Sequence, residues 1–266
     1  MRSAFAVSTL QQLQADGWVA TSDTLLAVCA SDSESEVFER LGFYAVTLSN
    51  LNKGLTSRES GPHIWSYQDV QNLSYPDSSF DHVFVSDGLH HCESPHRGLL
   101  EMFRVARRSV IVFESRDSLL MRLATRLGLV LEYELSAVIS NDFSHGGVND
   151  SEVPNFVYRW SEREFEKTIA SFHPMGPCRF RYFYSMNLPA ERLSHNTNRL
   201  KSLALRLAVP IASLLGSLAP KQSNSFCMVA QKPEDGRLWP WLEMHEGGLR
   251  FRQSYANSPP PETKSR

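Results

Sequence analysis

Short apolar segments alternate with amphipathic segments along the first half of the chain. Residues 24–29 form a compact apolar run, and Val37, Phe38 and Leu41 then recur at helical spacing before Gly42. Further runs rich in strand-forming residues cover 45–49, 81–86 and 109–114, with helical spacing over 99–105. This alternation over short connections predicts a doubly wound α/β fold, with a parallel sheet and helices on both faces.

The pattern changes in the second half of the chain. Residues 179–184 and 225–230 are two more strand candidates, separated mainly by a helical region over 200–218. Their late position is compatible with a last strand that runs antiparallel within an otherwise parallel sheet. Residues from 243 onward are rich in glycine and proline and poor in large apolar residues, which is typical of a tail.

These changes suggest three parts. Residues 1–23 are expected to be an N-terminal helical segment, and 24–232 the α/β domain, in which about 118–222 hold substrate-side insertions and helices. Residues 233–266 are expected to be a partly disordered C-terminal tail. Trp239 and Trp241 lie in this tail, where they either dock it on the domain or mark a partner surface.

Charge and cysteine content exclude several classes of protein. The 266 residues have a formal net charge of -2 and no run of Lys and Arg, so no nucleic-acid partner is expected. The four cysteines are far apart and form no CxxC pair, which favours reduced thiols in a cytoplasmic protein. The apolar stretch 203–219 contains Arg206 and Pro210, so no integral membrane segment is expected.

A specific motif follows the second predicted strand. Residues 69–81 read Asp-x-x-x-Leu-x-Tyr-Pro-Asp-x-x-Phe-Asp and lead directly into the apolar run 81–86, after which come Leu89-His90-His91 and the segment 100–105. In order and spacing, these features resemble class I S-adenosylmethionine-dependent methyltransferases of the ubiquinone/menaquinone type, over roughly residues 25–114. The resemblance implies a Rossmann-like seven-stranded sheet with a reversed last strand. It also implies S-adenosylmethionine as cofactor, with S-adenosylhomocysteine as product.

The resemblance also implies where the cofactor would bind, because ligands of open α/β sheets lie at the carboxyl ends of the strands. In the strand order of the family, residues 24–29 are strand one, 45–49 strand two and 81–86 strand four, and strand three ends just before Asp69. The loop after strand one would pass under the methionine part, and the end of strand two would face the ribose. The turn after strand three would border the adenine, and the end of strand four would line the methyl-transfer cavity. The corresponding residues are Cys29, Ala30 and Ser31 in the first loop, Asn50 after strand two, Asp69 and Val70 after strand three, and Ser86 after strand four. Asp69 alternatively serves only as a turn or helix-cap residue.

Two features depart from the family pattern. The first loop contains no glycine, although the family places Gly-x-Gly-x-Gly there so that the backbone can approach the cofactor. Asn50 stands where the family has an acidic residue, and a neutral amide makes a weaker hydrogen bond to a ribose hydroxyl than a carboxylate does.

His90 and His91 are the candidate general bases, because a neutral imidazole accepts a proton near pH 7. Alternatively, one of the pair packs in the core or caps the following helix. Cys92 and His96 lie nearby, but adjacent residues rarely point at one ion and no downstream motif completes a ligand set. We therefore predict no metal.

The segment between strand five and the late strands is the expected site of substrate recognition. It includes the aromatic and cationic residues Tyr158, Arg159 and Trp160, followed by Ser161 and Glu164 in the spacing of a capping box. Trp160 either lines the pocket or packs against the helix that begins there.

The function implied by the resemblance is methyl transfer to the oxygen or nitrogen of a small-molecule acceptor. One alternative is a non-catalytic protein of the same fold that has lost cofactor binding and serves as a binding or regulatory partner. Another is an enzyme that uses the old pocket for a different reaction. A protein partner or a homo-oligomer is compatible with each of these alternatives, since a fold alone does not determine function.

Overall fold

The computed structural model describes residues 2–57, 61–186, 214, 216, 218–233 and 236–257. Seven strands form one sheet: β1 (Leu25–Val28), β2 (Val46–Asn50), β3 (Ile64–Tyr67), β4 (Phe80–Ser86), β5 (Ala106–Ser115), β6 (Arg179–Ser185) and β7 (Ser225–Gln231). Their order is β3-β2-β1-β4-β5-β7-β6. β7 pairs antiparallel with both β5 and β6, whereas the pairs among β1 to β5 are parallel. The predicted doubly wound sheet with a reversed last strand is confirmed.

The helices of the described residues cover both faces of this sheet. They are α1 (Arg2–Ala15), α2 (Asp32–Arg40), α3 (Lys53–Thr56), α4 (Pro95–Val105), α5 (Leu119–Arg126), α6 (Leu135–Ser140) and α7 (Glu162–Phe172). Short 3-10 helices lie at Leu89–His91, Val148–Asp150, Pro220–Gln222 and Gln253–Asn257. The predicted helical region over 200–218 lies almost entirely outside the described residues.

Alternate residues of each central strand point to two separate cores. Leu25 and Ala27 of β1 lie on the face covered by α1 and α2, where Leu10, Leu13 and Phe38 are fully buried. The alternate residues of the same strand face α4 and α7. Because a strand with both faces buried must be apolar throughout, the continuous apolar runs of the sequence correspond to the central strands. α1 is therefore part of a layer that covers the sheet.

The segment before β1 is bound to the amino ends of the strands by polar contacts. The Thr24 backbone nitrogen donates to Asp81 Oδ2 over 2.9 Å, and Asp81 also pairs with Arg107. His82 Nε2 lies 3.0 Å from Asp23 Oδ2. These polar contacts are all at the edge opposite the carboxyl ends, so they stabilise the sheet without occupying the edge where a ligand would bind.

The segment expected to be a tail contains a β-hairpin, formed by β8 (Leu242–His245) and β9 (Gly248–Phe251). Trp239 and Trp241 stack on one another with ring centroids 4.9 Å apart, and the Trp239 backbone nitrogen donates to the Met175 carbonyl over 3.0 Å. The base of the hairpin thus contacts the segment before β6. None of the described helices is long and apolar enough to span a membrane.

Candidate functional site

The strand order creates a crevice at one edge of the sheet. From β1 the chain moves outward to β2 and β3, and it then returns to the other side of β1 as β4. In parallel α/β sheets such a reversal point is where ligands bind, at the carboxyl ends of the strands. Cys29, Asn50, Asp69 and Ser86 all lie at or just after the carboxyl ends of these four strands, so the fold brings the predicted cofactor residues to one edge.

The glycine-free loop after β1 is accommodated by a glycine on the opposite side of the crevice. Cys29 has a φ of 52°, a conformation usually taken by glycine. A Cβ atom at Gly88, just after β4, would lie only 2.4 Å from the Cβ of Cys29. The Cys29 side chain thus occupies space that is free only because residue 88 is a glycine. From the sequence, Gly88 was expected to line the methyl-transfer cavity with Ser86 at the end of strand four, but its close approach to Cys29 was not predicted.

Ser31 has a structural role that differs from the predicted cofactor contact. Its hydroxyl accepts a hydrogen bond from the Ser33 backbone nitrogen, and Glu34 Oε2 accepts one from the Ser31 backbone nitrogen over 2.8 Å. The Ser31 side chain also accepts from the Glu34 backbone nitrogen, and this bond and the one to Glu34 Oε2 form a capping box that begins α2. The Ser31 side chain is therefore occupied by the helix cap. Ala30 is fully buried, and its backbone nitrogen donates to the Ser49 carbonyl over 2.9 Å.

Both ends of the Asn50 amide are hydrogen-bonded within the protein. Nδ2 donates to the Ala30 carbonyl over 2.8 Å, and Oδ1 accepts from the Asn52 backbone nitrogen over 2.8 Å. An aspartate could not make the first of these bonds, because a carboxylate is only an acceptor. The amide oxygen retains a second lone pair, so Asn50 can accept one further hydrogen bond from a ligand hydroxyl.

Asp69 presents one open carboxylate oxygen at the crevice. Its Oδ1 accepts from the Gln71 backbone nitrogen over 2.9 Å, and Oδ2 accepts no hydrogen bond from a described residue. The side chain is half-buried. Val70, in contrast, is 4% exposed and belongs to the same core cluster as Leu73, so its side chain is not available to a ligand.

These features fit S-adenosylmethionine with fewer ribose contacts than the family pattern has. Asp69 offers an acceptor for the adenine amine, Asn50 offers one acceptor for a ribose hydroxyl, and the start of α2 supplies a helix N-terminus near the first loop. Ser86 lies half-buried at the end of β4.

His90 is buried between two glutamates. Its Nδ1 lies 2.7 Å from Glu114 Oε2, and its Nε2 lies 3.1 Å from Glu134 Oε2. Burial alone would lower the pKa of His90, but the charge and hydrogen bond of Glu114, with smaller contributions from Glu134 and Asp87, raise it to about 10. His90 is thus an imidazolium at neutral pH in this arrangement. The predicted role as a general base is disfavoured by this geometry, because both ring nitrogens of His90 are hydrogen-bonded to carboxylates.

His91 remains the better candidate base. It is half-buried, and its Nε2 lies 3.7 Å from Glu134 Oε2. Burial and the positive charge of His90 lower its pKa, an effect that Glu134 and a hydrogen bond to the Gly147 backbone only partly offset. The neutral ring can therefore accept a proton near pH 7.

Two of the three predicted substrate residues line an open groove of about 630 Å³ beyond β5. The Tyr158 hydroxyl donates to Glu164, and Arg159 Nη2 donates to the Leu131 carbonyl over 3.0 Å. The complete lining consists of Asp117, Arg122, Thr125, Arg126, Glu132, Phe156, Val157, Tyr158, Arg159 and Glu164.

Trp160 does not line this groove. It is fully buried, and it pairs with Arg116 in a β-bridge at the end of β5. Its predicted substrate role is therefore corrected to core packing. Ser161 caps α7 by accepting from the Glu164 backbone nitrogen over 3.3 Å. Glu164 bonds to the Tyr158 hydroxyl, so the predicted capping box is only half formed.

Comparison with known proteins supports the family resemblance. Residues 26–113, about a third of the chain, match the family model described as a methyltransferase domain. No protein of curated function matches the sequence significantly.

Solved structures share the fold at low sequence identity. Magnesium protoporphyrin IX methyltransferase from Synechocystis PCC 6803, solved with bound S-adenosylhomocysteine, is 13% identical, with a TM-score of 0.52 and coverage of 87% of this chain and 84% of that one. A SAM-dependent methyltransferase from Archaeoglobus fulgidus is 11% identical, with a TM-score of 0.52 and coverage of 86% and 94%. The chain thus has the fold of class I S-adenosylmethionine-dependent methyltransferases, as the resemblance predicted.

Proposed function

We propose that this protein is an S-adenosylmethionine-dependent methyltransferase that methylates an oxygen or nitrogen of a small-molecule acceptor in the cytoplasm. The observation that carries the proposal is the convergence of four strand ends on one crevice, where Asp69 presents an open carboxylate oxygen. Carboxyl-end crevices at a reversal of strand order are the usual ligand sites of this architecture.

Each end of the cofactor has a candidate partner in this crevice. Asp69 would accept from the adenine amine, and the second lone pair of Asn50 Oδ1 would accept from a ribose hydroxyl. The backbone of residues 29–31 would lie beside the methionine part. When bound, the cofactor supplies a methyl group activated by its sulfonium.

The acceptor is proposed to be a polar molecule of metabolite size. A groove of about 630 Å³ falls within the range of roughly 300–1,000 Å³ that is usual for small-molecule sites. It is lined by three acidic and three basic side chains together with Phe156 and Tyr158, which suits an acceptor with both polar and apolar parts. The net charge of -2 argues against a nucleic-acid acceptor.

Methyl transfer from a sulfonium is a displacement that depends mainly on positioning the two reactants. Where the acceptor is a hydroxyl, a base must also remove its proton. His91 suits this role, because its pKa is lowered and its ring is half-exposed just after β4. An amine acceptor would make His91 much less important.

Calorimetric titration of the purified chain with S-adenosylhomocysteine and, separately, S-adenosylmethionine tests the proposal. We expect micromolar binding that Asp69→Asn weakens at least about tenfold, since hydrogen bonds to a charged group contribute about 1.5–3 kcal/mol. Asp142→Asn is the matched control, because Asp142 is exposed and lies in the insertion after α6. Absence of binding at millimolar concentrations of both ligands would overturn the proposal and favour the non-catalytic alternative.

A further inference from the structure

We propose that His90, His91 and Glu134 form a binding site for a divalent first-row transition-metal ion. The two histidines come from the turn after β4, and Glu134 comes from the insertion just before α6, more than forty residues downstream. The sequence alone offered no third ligand for the histidine pair. The fold supplies one. Binding of the ion there does not require the proposed methyl transfer, but it would occupy Nε2 of His91 and so exclude that ring as the base for a hydroxyl acceptor.

The donor atoms lie close to the separations that coordination requires. His90 Nε2 lies 3.1 Å from Glu134 Oε2, His91 Nε2 lies 3.7 Å from the same oxygen, and one donor atom from each of the three residues lies within 4.8 Å of the others. With metal–ligand distances of about 2.1 Å, tetrahedral and octahedral geometries place neighbouring ligands roughly 3.0–3.4 Å apart. The His90–Glu134 separation of 3.1 Å falls in this range, and the His91–Glu134 separation of 3.7 Å is slightly longer.

A buried carboxylate orients the first ligand. Glu114 Oε2 accepts from His90 Nδ1 over 2.7 Å, while Glu114 Oε1 accepts from the Leu89 backbone nitrogen over 2.7 Å. Keeping the proton on Nδ1 leaves the lone pair of Nε2 for a metal. A metal-bound histidine almost always donates its other nitrogen to a carboxylate, a carbonyl or water in this way. Glu114 is thus a positioning residue.

The backbone of this ligand is also held in place. The fully buried Asn155 donates from Nδ2 to the His90 carbonyl over 3.1 Å, and the Glu134 backbone nitrogen donates to the Asn155 carbonyl over 2.9 Å. Asn155 therefore fixes the turn that carries the histidines against the segment that carries Glu134. The three ligands belong to one interconnected unit.

The charge distribution favours a cation. Glu114 Oε2 and Glu134 Oε2 lie 2.7 and 3.1 Å from the two ring nitrogens of His90, and Asp87 has a carboxylate oxygen within 4.8 Å, so three carboxylates surround one imidazole. A divalent ion would displace the Nε2 proton and compensate more of this negative charge than the proton does. Two imidazole nitrogens and one carboxylate suit Zn²⁺, Co²⁺ or Fe²⁺ better than Mg²⁺ or Ca²⁺, which prefer all-oxygen sites.

The site is open on one side. The side chains of His91 and Glu134 are each 29% exposed, so an ion can enter from solvent. Three protein ligands leave a further position for water or another oxygen ligand, as in metal sites that bind small molecules.

Titration of the chelator-treated full-length chain with Co²⁺, followed by visible absorption and by competition with Zn²⁺, tests the proposal without any methyl donor. We expect one equivalent of Co²⁺ to bind, and His91→Ala and Glu134→Gln each to weaken binding at least tenfold. Glu114→Gln should weaken it about 10–100-fold, the usual effect of losing such a partner. His145→Ala is the matched control, since His145 lies in the same insertion and contacts Ser144.

Far-ultraviolet circular dichroism verifies that each variant is folded. His91→Ala and Glu134→Gln should fold, because both side chains are only half-buried. Unchanged Co²⁺ affinity in the folded His91→Ala and Glu134→Gln variants would overturn the proposal. A thiolate-to-cobalt charge-transfer band would also overturn it, because that band would place the ion at Cys29 and Cys92. Failure of S-adenosylhomocysteine to bind would leave these readouts unaffected, so the two proposals fail separately.

Discussion

Glu114 at the end of β5 and His90 after β4 lie 2.7 Å apart, from carboxylate oxygen to Nδ1, and both side chains are almost completely inaccessible to solvent. The carboxylate also accepts from the Leu89 backbone nitrogen, so one side chain connects the ends of two neighbouring strands. The position of the turn after β4 therefore depends on a buried charge pair rather than on apolar packing alone.

Removal of this carboxylate is expected to destabilise the metal-free protein strongly. Glu114→Ala should lower the free energy of unfolding by about 3–5 kcal/mol, because it leaves the buried His90 without its main partner. Urea denaturation followed by circular dichroism measures the loss. Glu152→Ala serves as the control, since Glu152 is exposed, and should change stability by no more than about 0.5 kcal/mol. A loss below about 1 kcal/mol in Glu114→Ala would show that the pair does not stabilise the fold.

The close approach of Cys29 and Gly88 predicts coupling between the two positions. Gly88→Ala should destabilise the protein by about 1–3 kcal/mol, because its Cβ would lie 2.4 Å from that of Cys29. Combining it with Cys29→Gly should recover much of this loss, since the second change removes the opposing Cβ and thiol. A double-mutant cycle of urea midpoints measures the coupling, and simple additivity would contradict the explanation.

Asn50→Asp restores the acid of the family pattern, yet we expect it to be harmful. The carboxylate cannot donate to the Ala30 carbonyl, which lies 2.8 Å from Nδ2 of the amide, so two acceptors would face each other. The free energy of unfolding should fall by about 1–3 kcal/mol, the usual cost of an unsatisfied buried polar group. Asn52→Asp is a matched control, because Asn52 uses only its side-chain oxygen, as an acceptor from the Gly54 nitrogen. Equal stability of Asn50→Asp and the unaltered protein would disprove this account.

Acid sensitivity is expected at the opposite edge of the sheet. Burial alone would raise the pKa of Asp81, but bonds from Arg107 and Thr24 lower it to about 2 in the folded protein. The unfolded value is near 3.9, so the stabilisation is present above about pH 4 and is lost as the pH falls toward 2. Asp81→Asn should flatten the pH dependence of the urea midpoint between pH 5 and about 2. The exposed Asp142→Asn should leave that dependence parallel to that of the unaltered protein.

The central strands were predictable because burial on both faces requires continuous apolar sequence. Residues 25–28, 83–85 and 110–113 have this pattern, and all belong to strands of the sheet. β3 was located only through the family resemblance, since Ile64 and Tyr67 at its ends are exposed at the sheet edge and its sequence has no such run. Tyr158 and Trp160 look equivalent in sequence, yet one lines the groove and the other is in the core.

The amino-acid sequence by itself determined the α/β alternation, whereas the reversed last strand and the edge of the sheet where the candidate cofactor residues meet were implied by the family resemblance that its motif carries. Hydrophobic periodicity and motif spacing are local properties, so they can be read without knowing which segments touch. Only the tertiary structure decided that Gly88 faces Cys29, that Asn50 bonds to Ala30, and that Glu134 joins His90 and His91. These relationships join residues far apart in the chain, and their strength depends on distance and burial, which exist only once the chain has folded.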